Sequence, residues 1–145
     1  MKDGKKVGFT AGAFDLCHAG HMLMFEEAKT QCDYFIVGLQ SDPTIDRPEA
    51  KNKPIMSLKE QMIILKGIKY IDEIVEYDTE ADLLKLLTEN TLGIDVRILG
   101  VEYKDKPYTG RELPLPVYFN SRDHGYSTTE LRHRVYEAQK LKNGN

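Results

Sequence analysis

Short apolar runs that alternate with stretches of helical spacing constrain this chain more than any other feature. The runs are Val7 to Phe14, Tyr34 to Leu39, Glu73 to Tyr77 and Val96 to Leu99, with a fifth at Val117 to Asn120 after the proline-rich approach ELPLP. Runs of this length read as buried strands, and their alternation with amphipathic segments reads as an α/β domain with a mainly parallel sheet and right-handed crossovers. Crossover helices are expected over Gly20 to Gln31, Leu58 to Ile68 and Ala81 to Asn90, where apolar residues recur at three and four spacing. A last helix is expected to begin near Ser127, because Ser127 and Glu130 stand at capping-box spacing in STTE. It runs through Leu131, Val135 and Ala138 to the polar end KLKNGN.

The 145 residues fit one domain, taken as residues 1–145. With 41% hydrophobic and 30% charged residues the chain reads as globular, and its net charge of −3 supplies no basic field to hold nucleic acid. No apolar run approaches the roughly 20 residues of a membrane helix, and the charged start MKDGKKVGF is unlike a signal peptide. No membrane partner and a cytoplasmic location are therefore expected. The thiols Cys17 and Cys32 read as small buried side chains rather than a disulfide framework.

Two long irregular stretches, Ser41 to Pro54 and Val101 to Pro116, follow the carboxyl ends of strands, where open α/β sheets bind ligands. Both are expected to be active-site loops. A third candidate is FTAGAFDLCHAGHMLMFEEA, which runs from a strand through Gly12 into His18, Gly20 and His21 and then into a helix. Glycines let the backbone approach a ligand, and a helix start favours phosphate. The same histidines also admit a zinc reading beside Cys17, or a plain core or capping role. Near the other end, NSRDHGYSTTELRHRV sets Arg122 after a strand and Ser127, Thr128 and Thr129 at a helix start. Hydroxyls and free N–H groups facing a guanidinium form a second anion site, although a capped helix with a surface arginine has the same pattern.

The run GAFDLCHAGH closely resembles the His-x-Gly-His signature of the nucleotidyltransferases that include cytidylyltransferases and several adenylyltransferases. NSRDHGYSTT resembles the Arg-Thr-x-Gly-x-Ser-Thr-Thr signature of the glycerol-3-phosphate, phosphocholine and phosphoethanolamine cytidylyltransferases, with Asp123 and His124 in place of the usual threonine and glutamate. The two signatures lie in the family's order, and the resemblance runs from Val7 to about Val135. It implies a Rossmann-like open parallel sheet of about five strands with helices on both faces.

The resemblance is strongest to glycerol-3-phosphate cytidylyltransferase, and it implies transfer of CMP from CTP to a small phosphorylated alcohol, with release of pyrophosphate and formation of a CDP-alcohol. It gives His18 and His21 the stabilisation of the transition state at the α-phosphorus, with Lys51, Lys53 and Arg122 as further catalytic groups. Nucleotide contacts fall to Thr10, Ala11, Gly12, Ala13, Phe14 and Gly20, and to Gly100, Glu102 and Tyr103 in the counterpart of the family's Gly-x-Asp-Tyr/Trp segment. Arg122, Ser127, Thr128 and Thr129 complete that set.

The resemblance implies that Asp15, Lys51, Lys53 and Lys69 meet the acceptor, while Gln61 stands where an arginine is frequent. Magnesium bridging the triphosphate is implied, with Asp15 the nearest side chain to assist but no dedicated metal-ligand set, as is a homodimer. Two other readings stand beside this one: an adenylyltransferase acting on a sugar phosphate such as heptose 1-phosphate, and a nucleotide-binding subunit without turnover.

Overall fold

Every strand finds its partner in parallel register. In a computed structural model that describes residues 1–144, β1 (Val7–Gly12), β2 (Tyr34–Gln40), β3 (Glu73–Tyr77), β4 (Val96–Gly100) and β5 (Val117–Asn120) form one sheet of order β3-β2-β1-β4-β5. The pairing Val7↔Tyr34 through Gly12↔Leu39 brings the ends of β1 and β2 level, and Gln40 stands beside Tyr77. From β1 the chain steps outward to β2 and β3, then returns to place β4 on the other side of β1. That reversal opens a crevice at the carboxyl ends of β1 and β4, the place where ligands bind in such sheets.

The helices are α1 (Ala19–Lys29), α2 (Leu58–Lys66), α3 (Glu80–Glu89) and α4 (Thr128–Lys142). Side chains alternate across the sheet, so two cores form. Phe35, Val37, Leu39, Val96 and Ile98 pack with Phe25 and Ala28 of α1 and Leu65 of α2. Val7, Phe9, Ile36 and Tyr77 pack on the other face with Leu83 and Leu87 of α3. Helices therefore cover both faces, as expected.

Gly38 has a packing reason, because a Cβ there would come within 2.8 Å of the Phe9 ring. The expected strand Val7 to Phe14 stops at Gly12, since Phe14 and Leu16 both adopt φ +51°, which ends a ladder. At the last helix Ser127 accepts from the Glu130 amide, but the reciprocal half of the capping box does not form. Cys32 is buried as expected and Cys17 is half-buried; both are free thiols. Among the described residues no helix is long and apolar enough to cross a membrane.

Candidate active site

The first turn of α1 is built around its two histidines. His18 is the N-cap, with extended backbone, and its Nδ1 accepts from the Gly20 amide at 3.0 Å. The His18 amide in turn donates to His21 Nδ1 at 3.1 Å. This is a capping box made of imidazoles, and the same two side chains line the cleft. Because each Nδ1 accepts a backbone proton, each neutral ring carries its own hydrogen on Nε2. Both rings are thereby fixed as donors whose free edge faces away from the helix.

Packing holds them in place. Phe14 meets His21 edge-on at 5.6 Å between centroids, and the two imidazole centroids are 4.1 Å apart. A Cβ on Gly20 would stand 2.9 Å from the His18 ring and 3.0 Å from the His124 ring, which is why that position takes glycine. His18 Nε2 lies 3.1 Å from Thr128 Oγ1, so the start of α1 meets the start of α4 across the sheet end.

Burial, then the neighbouring His18 and Arg122, lowers the His21 pKa to about 4. Burial, then His124 and Arg122, also lowers that of His18. At neutral pH both rings are uncharged donors. The unfolded chain binds a proton on His21 near pH 6.5 and the folded chain does not, so stability falls as pH drops from about 6.5 toward 4, by up to about 1.4 kcal/mol per pH unit. Chemical denaturation at pH 7, 6 and 5 checks this; a His21→Phe variant is expected to lose that part of the slope.

Arg122 reaches the site from the loop after β5, in a left-handed conformation at φ +54°. Its Nη1 donates to Glu102 Oε1 at 2.9 Å, while Glu102 Oε2 is buried without a partner. A Cβ on Gly100 would come within 2.4 Å of that carboxylate, which lies against the Gly100 backbone. Ser127 caps α4, leaving the amides of its first turn, with Thr128 and Thr129, open to an anion.

A cleft of about 410 Å³ joins these elements. It brings together Thr10, Ala11, Gly12, Ala13, Phe14, His18, Gly20, His21, Gly100, Glu102, Tyr103, Arg122, Ser127, Thr128 and Thr129, together with Met24, Leu99 and His124. His124, which stands in place of the signature's usual glutamate, accepts on Nδ1 from the Tyr126 amide at 3.1 Å, which makes it a third Nε2 donor at the cleft.

The lysines and Asp15 behave differently. Lys51 lines a neighbouring cleft of about 220 Å³, whereas Lys53 is paired with Asp42 at 2.7 Å with its side chain 79% exposed. Lys69 lies over the Tyr70 ring, and Asp15 spends both carboxylate oxygens on the Ile55 and Met56 amides. Asp15 is thus the clamp of the 41–54 loop rather than a residue facing the cleft. Gln61, read as a lost substrate charge, is 1% exposed and bonds the Met56 carbonyl, so it supports the same clamp. Among the described residues no group of three or more His, Cys, Asp or Glu side chains could hold a metal ion.

Comparison with known proteins agrees with this geometry. A family model described as cytidylyltransferase-like matches residues 9–134. The bifunctional protein HldE of Campylobacter concisus is 33% identical over 96% of this chain, and that of Helicobacter pylori is 33% identical over 92%. The chain spans 29% and 28% of the lengths of those two relatives. A lipopolysaccharide core biosynthesis protein from Thermoplasma volcanium superposes with TM-score 0.58 at 20% identity, over 94% of this chain and 90% of that one. A putative nicotinate-nucleotide adenylyltransferase from Vibrio parahaemolyticus superposes with TM-score 0.60 at 15% identity, over 92% and 88%. With two histidines locked as donors at one helix start, an open helix start opposite and a match along nearly the whole chain, the protein belongs to the cytidylyltransferase-like family of nucleotidyltransferases.

Proposed function

We propose that this chain is an adenylyltransferase that moves AMP from ATP to a sugar phosphate, such as heptose 1-phosphate, and releases pyrophosphate. The kinship with the HldE proteins along nearly the whole chain favours this reading over transfer of CMP to glycerol 3-phosphate. The observation that supports the chemistry is the pair of imidazoles whose Nδ1 atoms are held by backbone amides, so that each carries its hydrogen on Nε2, with that of His18 at the start of α4 beside Thr128.

An acceptor phosphate oxygen attacks the α-phosphorus of the nucleotide; the bond from that phosphorus to the bridging oxygen breaks, and pyrophosphate leaves with the electron pair. No side chain becomes covalently attached, so the work is alignment and charge stabilisation. His18 and His21 donate to the oxygens on which charge builds, and the first-turn amides of α4 hold the departing phosphates. Glu102, with one oxygen on Arg122 and the other unpartnered, is an acceptor for a nucleoside hydroxyl or amino group. Magnesium fits a site with so few carboxylates, since it is held largely by phosphate oxygens and water, and when bound it offsets the triphosphate charge. A Francisella tularensis NMN adenylyltransferase/ADP ribose pyrophosphatase described as complexed with AMP and a manganese ion has the same fold, with TM-score 0.62 at 16% identity, over 92% of this chain and 42% of that one.

Pyrophosphate release with magnesium, measured for the four nucleoside triphosphates against heptose 1-phosphate, glycerol 3-phosphate, phosphocholine and phosphoethanolamine, tests the reading. Release with ATP and the sugar phosphate is expected. Release with CTP and glycerol 3-phosphate would instead support the cytidylyl reading, which the Arg122 to Thr129 signature favours; binding without release would mean a subunit without turnover. A homodimer is part of the proposal, supported by the exposed Ile63 and Ile64 on α2. Sedimentation at micromolar concentration is expected to give twice the chain mass, and a monomer would remove that part.

A further inference from the structure

On β4, Val96 and Ile98 face the core under α1 and α2, so Arg97 and Leu99 point toward α3. A parallel strand covered on both faces ordinarily takes an aliphatic side chain at such a position. Arg97 is 5% exposed there. Its Nη1 donates to the Thr109 carbonyl and its guanidinium lies 5.3 Å from the Tyr108 ring centroid. Nε is buried with no partner, and among the described residues no carboxylate comes within 4.0 Å of the guanidinium. Glu80 acts on this cation only from beyond ion-pair distance, and a buried cation with no direct ion pair and an unpartnered Nε is unfavourable, which makes the position hard to explain by folding alone.

Arg97 lines the smaller cleft, which shares Gly12, Ala13, Leu99 and Tyr103 with the histidine cleft. Arg47 and Lys51 line it too. Against these three cations stands Glu80, whose oxygens are taken by Arg47 and the Thr109 hydroxyl at 3.0 Å each. The cleft therefore has positive charge to spare. The shared end adjoins the histidine cleft at Gly12, Ala13 and Leu99, and Arg97 lines only the smaller cleft, two residues before Leu99 on β4. A ligand that reaches from the histidine cleft into the smaller cleft therefore meets Arg97 beyond the end that carries its phosphate.

Resting on the transferase reading and narrowing its acceptor, we propose that the acceptor is a sugar phosphate with a second oxyanion, a carboxylate or a second phosphate, and that Arg97 binds this group. The first phosphate attacks at the shared end; the guanidinium offers its free Nε–H and a fork suited to an oxyanion at the other. Gln40 and the Tyr77 hydroxyl line the wall between, where they meet sugar hydroxyls. Heptose 1-phosphate, uncharged beyond its phosphate, becomes the weaker member of the class.

Titration calorimetry with magnesium and α,β-methylene ATP present, repeated with the CTP analogue, compares glucose 1-phosphate, glucuronic acid 1-phosphate and glucose 1,6-bisphosphate. At least one of the two doubly anionic probes is expected to bind 10-fold or more tighter than glucose 1-phosphate, and which one does so tells carboxylate from phosphate. In Arg97→Gln that margin is expected to shrink below about 3-fold. Equal affinities in the wild type, a margin that survives in Arg97→Gln, or no binding by any probe overturns the proposal. The wild-type comparison stands even where Arg97→Gln does not fold. Binding of the nucleotide analogues separates the layers: analogue binding with indifferent probes removes only the acceptor inference, whereas no analogue binding removes the transferase reading with it.

Discussion

His18→Asn is expected to keep the fold and lose turnover by roughly 10²-fold or more, whereas His18→Ala loses both turnover and stability. The difference follows from the double use of the side chain. As the N-cap of α1, His18 satisfies the Gly20 amide, and its replacement by alanine leaves that amide without a partner at a cost of about 1 kcal/mol. Asparagine is among the best N-caps, so its side-chain oxygen restores the hydrogen bond, but it carries no donor to the place where Nε2 stood. Pyrophosphate release and thermal unfolding, measured on both variants, separate the two roles. A His18→Asn enzyme with near-normal turnover would leave His18 as a cap and nothing more. His21→Ala is expected to lower turnover by a similar factor, and to destabilise as well, because the imidazole packs edge-on against Phe14.

Arg122→Gly is expected to raise or preserve the melting temperature of the free protein while removing most of the shift that nucleotide and magnesium produce in the wild type. The two effects have opposite signs because they come from different parts of the residue. At φ +54° a non-glycine backbone is strained, and glycine adopts that conformation without strain; relief is of the order of 1 kcal/mol. The guanidinium meanwhile holds Glu102 and adds positive charge beside the cleft, so its loss weakens binding, and stabilisation by ligand falls with affinity. Thermal unfolding with and without ATP or CTP, each with magnesium, reads both. An unchanged nucleotide shift in Arg122→Gly would take the guanidinium out of the nucleotide site.

That the residues of the histidine cleft come together was legible in the sequence because they sit in two short segments with local rules. Gly12 to His21 and Arg122 to Thr129 each join a strand end to a helix start, and the unpaired amides of a helix start are generated by that local geometry. The parallel sheet followed from the length and spacing of the apolar runs for the same reason: strand and helix periods are properties of neighbouring residues. The role of His18 was half legible; capping and ligand-binding stood as alternatives, and the structure shows Nδ1 capping α1 while Nε2 lies 3.1 Å from Thr128 Oγ1 at the cleft.

Lys53, Lys69, Asp15 and Gln61 were beyond that kind of reading. Their partners, Asp42 for Lys53 and the Ile55 and Met56 amides for Asp15, are brought close by the path of a loop that has no periodicity to betray it. Arg97 lies within an apolar run that reads as a strand, with nothing in the order of residues to show that its guanidinium would be buried with Nε unpartnered.

By itself, then, the sequence determined the strands, the crossover helices and the two helix starts at the cleft, because backbone hydrogen bonding and side-chain alternation act between near neighbours. Only the tertiary structure decided which charges face a cleft, which are spent on loop amides and which imidazole nitrogen is free. Those outcomes depend on distances between residues far apart in the chain, such as His18 and Thr128, which the return of the strand order across β1 brings to 3.1 Å.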